Sequence, residues 1–181
     1  EKTAAGLVAY AKAQLGRPYW YATYGNISSK DLYERKKKQY PKYYTATDFA
    51  KQYGKRVHDC VGLIKGYMWS DGTPDGKPTY NSNGFPDVSA NGLYNYCKTK
   101  GKLDTMPDVP GICVFLSGHV GVYIGNGEVV EARGHAYGVV LTKLKNRPWT
   151  NWGAVPGINY DNVPVVPEPE KPKTIKRGDK G

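Results

Sequence analysis

The stretch His119-Val120-Gly121-Val122-Tyr123-Ile124-Gly125-Asn126-Gly127-Glu128-Val129-Val130-Glu131 determines the fold that we expect for this chain. Valine and isoleucine recur at every second position on its first arm, and the second arm is again rich in valine. Two such arms joined by Asn-Gly are typical of a β-hairpin, because asparagine and glycine adopt the left-handed backbone that a tight turn requires. The stretch therefore predicts two antiparallel strands.

The length of the hairpin loop decides which face of the sheet carries Glu131. A two-residue loop would place Glu131 among the apolar side chains of the other strand. A three-residue loop instead pairs Ile124 with Glu128 and Val122 with Val130, so that the apolar side chains share one face. Because a slip of one residue moves every side chain to the other face, the hydrophobic pattern favours the three-residue loop.

Helices precede this hairpin and further strands flank it. Helical spacing of apolar residues predicts helices at four places: after Thr3 with a stop at Gly16, as one or two short surface helices within 30–53 (the second from about Thr47 to Gly54), from about Asp59, and from Asp87 or Ser89 to about Lys100. Short stretches rich in valine and isoleucine predict strands at 112–116, 119–124, 128–133, 139–144 and 153–160. Helices first and strands afterwards predict an α+β domain, with N-terminal helices packed on a C-terminal antiparallel β-sheet.

Length and composition predict one domain followed by an appendage. The chain has 181 residues, enough for a single hydrophobic core. We assign residues 1–160 to the domain. Proline alternates with glutamate and lysine in residues 161–181, which is typical of an extended linker. Such a linker leads to a second module, or is an ordinary chain end.

The charge of the chain favours an anionic polymer as its partner. Its 26 Lys and Arg residues exceed its 16 Asp and Glu residues, for a net charge of +10. Nucleic acid and the bacterial wall both fit this charge. The run Arg35-Lys36-Lys37-Lys38 is either a solvated face or a contact with such a polymer. No stretch is long and apolar enough to span a membrane, and the first residues do not resemble a secretory signal.

Three cysteines are present, and one of them lies where a nucleophile would be expected. Cys60 is predicted at the start of an apolar helix, whose backbone N–H groups lower the pKa of a thiol; the alternative is a buried structural cysteine. Cys97 and Cys113 lie in apolar surroundings and are interpreted as core residues. Because the count is odd, at least one of the three is expected to be a free thiol or to pair outside the chain. The spacing of His, Cys, Asp and Glu predicts no metal site.

A thiol nucleophile needs a base and a group that orients the base. In the favoured register Glu131 lies diagonal to His119 on the polar face, so that His119 would serve as the base and Glu131 would orient it. The alternative for His119 is a structural histidine. His135 is a second candidate for the third position, and His58 is a candidate for the wall of the cleft.

The motifs around these residues resemble those of the NlpC-type bacterial cell-wall cysteine peptidases. The similar segments are Asp59-Cys60-Val61-Gly62-Leu63-Ile64, residues 119–127, Val130-Glu131-Ala132-Arg133-Gly134 and Leu15-Gly16-Arg17-Pro18-Tyr19, within a resemblance that covers about Thr3 to Tyr160. The resemblance implies a papain-like fold, with Cys60 as nucleophile, His119 as base and Glu131 as orienting residue. It also implies that Asp59 and Tyr19 hold the substrate near the thiol.

Three features depart from that family. Glu131 stands where the family most often has histidine, and Val61 stands where serine is usual. The segment 30–53 is longer than the usual connection between the Pro-Tyr element and the nucleophile, so it is expected to reshape the wall of the specificity site.

The resemblance implies an endopeptidase that cleaves peptidoglycan stem peptides next to D-γ-glutamate. The alternatives are an N-acetylmuramoyl-L-alanine amidase with the same three residues, and a basic wall-binding module without catalysis; nucleic-acid binding rests on charge alone and is disfavoured. We expect a monomer that needs no metal or organic cofactor. It would act outside the cell or in the cell wall, after secretion or release by a phage-type lysis system. Thr174-Ile175-Lys176-Arg177-Gly178-Asp179 resembles the start of a peptidoglycan-binding repeat, which would make the second module a wall-binding one.

Overall fold

A computed structural model describes residues 1–161 of the chain. The linker predicted at 161–181, and the repeat-like segment within it, lie outside the described residues except for Asp161. Within the described part, no helix is long and apolar enough to cross a membrane.

Helices occupy most of the regular structure in the first hundred residues. Their bounds are α1 Ala4–Ala13, α2 Lys30–Gln39, α3 Gly62–Met68 and α4 Ala90–Tyr96. Thr3, Ser29 and Ser89 cap α1, α2 and α4, because each hydroxyl accepts a hydrogen bond from the backbone N–H three residues later. The predicted caps at Thr3 and Ser89 are therefore confirmed.

An antiparallel sheet of six strands follows the helices. Its strands are β3 Lys100–Lys102, β4 Cys113–Leu116, β5 His119–Gly125, β6 Glu128–Ala132, β7 Val139–Lys143 and β8 Asn151–Gly153, in the order β3-β8-β4-β5-β6-β7. A separate pair, β1 Tyr24–Ile27 and β2 Arg56–His58, leads the chain into α3. The predicted α+β class, with N-terminal helices and a C-terminal antiparallel sheet, is confirmed.

The main core lies between the helices and one face of the sheet. Leu7 of α1 and Ile64 of α3 pack there with Val120, Val122 and Val130 from the hairpin strands. A smaller apolar cluster covers the opposite face of the sheet and consists of Val114, Tyr123, Val129 and Trp149. Both faces of the central strands are therefore buried, which fixes the hairpin that carries His119 and Glu131.

The long segment 30–53 packs into a further apolar cluster together with Trp20 and Val57, which lie on either side of it in the sequence. Its members are Trp20, Leu32, Tyr44, Phe49 and Val57. Beyond α2, the segment contains only two 3-10 turns, Pro41–Tyr43 and Phe49–Gln52. The prediction of a second helix from Thr47 to Gly54 is therefore wrong in its length.

Contacts that are distant in sequence explain where other predicted boundaries fail. Helix α1 ends at Ala13, before the predicted stop at Gly16, because the Gly16 N–H donates to the Val139 carbonyl in the sheet at 3.0 Å. Helix α4 ends at Tyr96 and not near Lys100, because Lys100–Lys102 pairs with β8 as a strand.

Two further predicted bounds differ from those in the structure: the last strand, predicted at 153–160, and the start of the third helix, predicted near Asp59. Strand β8 covers Asn151–Gly153 instead, and the chain then turns at Pro156-Gly157 with a φ of 90° at Gly157. Helix α3 starts at Gly62, two residues after Cys60.

The hairpin has the predicted pairing of its apolar residues, but its loop is shorter than predicted. Val122 pairs with Val130 as predicted, but Gly125 and not Ile124 pairs with Glu128. The loop thus has two residues, Asn126-Gly127, both with positive φ, and a bulge between Tyr123 and Gly125 takes up the extra residue.

Candidate active site

The β5–β6 hairpin places His119 and Glu131 in direct contact. His119 Nε2 lies 2.7 Å from Glu131 Oε1. Gly121 leaves room for this pair: a β-carbon at that position would lie 2.7 Å from Val129 Cγ1, 3.0 Å from Trp149 Cη2 and 3.3 Å from Glu131 Cβ. The absence of a side chain at Gly121 is therefore a steric requirement of the site.

Glu131 is fully buried and satisfied by charged and polar donors. Arg147 donates from Nη2 to Oε1 at 2.9 Å and from Nε to Oε2 at 3.0 Å, and the Thr142 hydroxyl donates to Oε2 at 2.6 Å. Burial alone would raise the pKa of Glu131, but the hydrogen bonds from His119, Arg147 and Thr142 outweigh it and lower the pKa to about 2. Glu131 is consequently ionised at neutral pH.

The hydrogen bond to Glu131 fixes which nitrogen of His119 carries the proton. An ionised carboxylate only accepts hydrogen bonds, so Nε2 is the protonated nitrogen and Nδ1 of the neutral ring keeps its lone pair. The ring stacks on Trp149, with centroids 5.4 Å apart and planes inclined by 12°. The guanidinium of Arg147 lies 5.7 Å from the centroid of the same indole. Trp149 thus contacts both the His119 ring and the guanidinium that binds Glu131.

Cys60 lies beside the start of β5. It occupies the turn before α3, its residue is 9% exposed, and its Sγ lies 4.0 Å from the carbonyl oxygen of Gly118, the neighbour of His119. The sulfur therefore lies at the end of the sheet where β5 begins with His119, although Cys60 and His119 are 59 positions apart in the sequence.

The Cys60 thiol is protonated in the resting protein, contrary to the sequence-based expectation. Burial raises its pKa to about 12, and the charge of Asp59 adds to the increase. Backbone N–H groups, including that of Val120, act in the opposite direction but do not outweigh burial. The expected lowering by the helix N-terminus fails because α3 starts two residues later and the sulfur has little contact with water.

Asp59 binds the backbone at two places around the turn that carries Cys60. Its Oδ1 accepts from the Gly62 N–H at 2.7 Å, and its Oδ2 accepts from the Ala22 N–H at 2.8 Å. Burial raises the Asp59 pKa, against the opposing effects of Lys65 and these two hydrogen bonds. Burial also raises the Tyr19 pKa, and the charge of Asp59 adds to the increase, so the Tyr19 hydroxyl lies in the electrostatic environment of Asp59.

The two other histidines are occupied elsewhere. His58 is fully buried, with Nε2 2.7 Å from the Tyr10 hydroxyl, so it does not form the wall of an open cleft. His135 packs on Phe49, with centroids 4.2 Å apart, and its Nε2 lies 2.5 Å from Asp48 Oδ1. His135 therefore joins the loop after β6 to the segment 30–53, and Glu131 occupies the position beside His119.

Sequence patterns did not reveal Arg147, Thr142 or Trp149. Thr142 lies on β7 two residues from Val140, the residue paired with Glu131, whereas Arg147 and Trp149 lie in the loop before β8 and have no periodic pattern. One available signal was chemical: a carboxylate on a strand that is buried on both faces requires a charged partner, and arginine is the best suited.

Cys97 and Cys113 are both buried and carry free thiols, as their apolar surroundings predicted. No disulfide forms among the three cysteines, all of which lie within the described residues.

No protein-family model and no curated protein matches the sequence of this chain. Among solved structures, NlpC2 from Trichomonas vaginalis matches at a TM-score of 0.51 and 17% identity, over 86% of this chain and 47% of that one. NlpC1 from the same organism matches at a TM-score of 0.50 and 17% identity, over 83% of this chain and 44% of that one. The peptidoglycan hydrolase RipB from Mycobacterium tuberculosis has a TM-score of 0.48 and 20% identity, over 84% of this chain and 66% of that one. This chain spans just under half the length of the two Trichomonas proteins, with which it shares the NlpC-type α+β fold.

Proposed function

We propose that this protein is a peptidoglycan hydrolase that cleaves amide bonds in cell-wall stem peptides, as an endopeptidase next to D-γ-glutamate. The observation that carries the proposal is the 2.7 Å contact between His119 and Glu131 at the strand end where the Cys60 sulfur lies. The NlpC-type fold supports it, as does the resemblance of the sequence around Cys60 and His119 to cell-wall peptidases. Such an enzyme would act outside the cell or in the wall.

In the proposed reaction, His119 removes the proton of Cys60 while the sulfur attacks. Because the resting thiol is protonated, Nδ1 of His119 takes the proton as the bond from Sγ to the amide carbon forms and the carbonyl electron pair moves to oxygen. The tetrahedral intermediate then breaks its C–N bond, and the leaving amine takes the proton from Nδ1. The products of this step are a free amine and a thioester.

Water completes the proposed cycle. Nδ1 takes a proton from water as the water oxygen adds to the thioester carbonyl, and the C–S bond breaks with return of that proton to the sulfur. Glu131 would stabilise the imidazolium in both steps, since its charge lies against Nε2. Arg147 and Thr142 would act as positioning residues by fixing the carboxylate.

Asp59 and Tyr19 are proposed to hold the substrate near Cys60. Each Asp59 oxygen already accepts one backbone hydrogen bond, so contact with a substrate amine or amide would use the remaining acceptor sites. Tyr19 offers a hydroxyl group in the same electrostatic environment.

Digestion of purified peptidoglycan, with fragment masses and new termini identified, tests the proposal. The wild-type protein should release stem-peptide fragments, Cys60→Ser and His119→Ala should not, and Cys97→Ser should retain activity as a matched control. New amino termini on the first alanine of the stem would indicate an amidase instead. Lysis by Cys60→Ser equal to that of the wild type would exclude a thiol mechanism. Binding to peptidoglycan without release of fragments by the wild type would indicate a wall-binding module instead.

A further inference from the structure

A cavity of about 480 Å³ opens directly beside the nucleophile turn. Asp59 and Val61, the two neighbours of Cys60, both line it. Lys36 and Gln39 of α2 and Tyr40, the residue that follows the helix, also line it. The segment 30–53 thus supplies one side of a site whose other side is the turn that carries the proposed nucleophile.

Most of the charges around this cavity are already paired. The Lys65 Nζ lies 2.7 Å from Asp87 Oδ1, and the Tyr80 hydroxyl donates to Asp87 Oδ2 at 2.6 Å. Asp59 accepts hydrogen bonds from two backbone N–H groups, as described above. The anionic groups of the cavity are therefore occupied by donors within the protein.

Lys36 is the exception among the charged residues of this cavity. No carboxylate lies within salt-bridge distance of its ammonium in residues 1–161, and Nζ lies 5.8 Å from the centroid of the Tyr40 ring. It is partly buried, whereas its helix neighbours Lys37 and Lys38 are exposed. Burial lowers the Lys36 pKa and the charge of Arg35 adds to the decrease, whereas the charges of Asp59 and Asp87 act in the opposite direction without outweighing burial.

The floor of the cavity has a fixed and strained backbone. Ala22 lines it with a φ of 64°, a left-handed conformation that is unfavourable for alanine. The hydrogen bond from the Ala22 N–H to Asp59 holds this conformation in place. Strain of this kind persists only where surrounding contacts enforce it, and it concentrates at binding and catalytic sites.

We propose that Lys36 binds a free carboxylate of the substrate in this cavity, so that the protein prefers stem peptides whose glutamate carries a carboxylate over those in which it carries a carboxamide. The inference rests on the proposed function. Its chemical basis is that glutamate linked through its γ-carbonyl leaves its α-carboxylate outside the peptide chain, a few bonds from the scissile amide. An ammonium in a cavity that is lined by both sequence neighbours of Cys60 is a suitable counter-ion for that group.

Binding measured in the Cys60→Ala protein tests the inference without cleavage. The ligands are two soluble stem tripeptides that differ only at the glutamate α-position, as carboxylate or carboxamide. We expect the carboxylate form to bind about tenfold more tightly. Lys36→Met should reduce the difference to less than about twofold, by weakening only the carboxylate ligand. Lys36→Arg should retain the preference, as should Lys38→Met on the exposed face of the same helix.

Equal affinity for both peptides, or a preference that survives Lys36→Met, would overturn the inference. A failure to bind either peptide while the wild type hydrolyses peptidoglycan would also overturn it, because the substrate would then be recognised elsewhere. If the wild type neither binds these peptides nor hydrolyses peptidoglycan, the proposed function itself fails.

Discussion

At the scale of single residues, Arg147 keeps the buried Glu131 carboxylate ionised by donating two hydrogen bonds to it. Arg147→Met would leave the Glu131 carboxylate buried with two of its four hydrogen bonds removed. Removing one partner of a buried ion pair costs about 3 kcal/mol or more. We expect a loss of this size in the free energy of unfolding, measured with urea, and a large fall in kcat for peptidoglycan hydrolysis. Arg147→Lys should recover part of both, and a stability equal to the wild type would contradict this account.

The acid stability of the protein should also depend on Glu131. Its pKa is lowered from 4.5 to about 2 in the folded state, so its stabilising contribution is complete above pH 4.5 and is lost as the pH falls toward 2. The shift corresponds to about 3 kcal/mol. The difference in unfolding free energy between wild type and Glu131→Gln should therefore shrink by up to about that amount between pH 6 and pH 2.5.

Urea unfolding at several pH values measures this difference directly. Glu34 is exposed on α2 and its carboxylate has no side-chain partner within residues 1–161, so Glu34→Gln serves as the control. The gap between the control and the wild type should stay nearly constant with pH. A gap for Glu131→Gln that is equally flat would show that the carboxylate has no lowered pKa.

At this scale the sequence predicted the residues better than their chemistry. Alternation along β5 and β6 was sufficient to bring His119 and Glu131 together, because a strand has a fixed period of two. The pKa shift of Cys60 was predicted in the wrong direction, since the burial of the thiol and its distance from the Asp59 charge depend on how the whole domain packs. Arg147 was missed because its loop reaches Glu131 only through the strand order of the sheet.

Gly121 matters at the scale of the hairpin, because it sets how closely β5 can approach Trp149 and Glu131. Gly121→Ala would add a carbon 2.7 Å from Val129 Cγ1, and the strands or the indole would have to move. Overpacking of this kind costs about 1–3 kcal/mol. We also expect kcat to fall, because the same displacement would disturb the contact between His119 and Glu131.

Gly54→Ala separates crowding from backbone strain. Gly54 has a φ of 91° and open space around it, so alanine there should cost about 1 kcal/mol of stability while kcat stays unchanged. Thermal unfolding and peptidoglycan turnover measured on both variants provide the comparison. Full activity in Gly121→Ala would show that the hairpin tolerates a wider separation than the geometry implies.

At the scale of helices and strands, the sequence predicted those boundaries that depend only on neighbouring residues. Thr3 and Ser89 begin helices as their side chains predicted, because a cap needs only the backbone three residues away. The end of α4 could not be predicted, because Lys100–Lys102 becomes a strand through pairing with Asn151–Gly153, about 50 positions later. The apolar cluster around the segment 30–53 had no periodic pattern, since its members come from loops and short turns as well as α2.

The charge of the whole molecule should control its binding to the wall. A net charge of +10 favours association with an anionic surface, and the exposed part of that charge is screened by salt. The screening length falls from about 10 Å at 0.1 M to about 3 Å at 1 M ionic strength. Sedimentation of Cys60→Ser protein with purified anionic walls should therefore decrease strongly over this range, and walls stripped of anionic polymer should bind less at low salt.

A triple variant shows whether this binding depends on the basic run of α2 or on total charge. Arg35, Lys37 and Lys38 are exposed, so their replacement by glutamine leaves Lys36 in its cavity. The control removes the same charge from Lys12, Lys98 and Lys145, which are exposed elsewhere. If the run contacts the wall, the first variant should lose more wall binding than the control, with both retaining turnover of a soluble stem peptide. If both variants lose the same amount of wall binding, the basic run is an ordinary solvated face. The attraction to the wall is then a property of the total charge of the molecule.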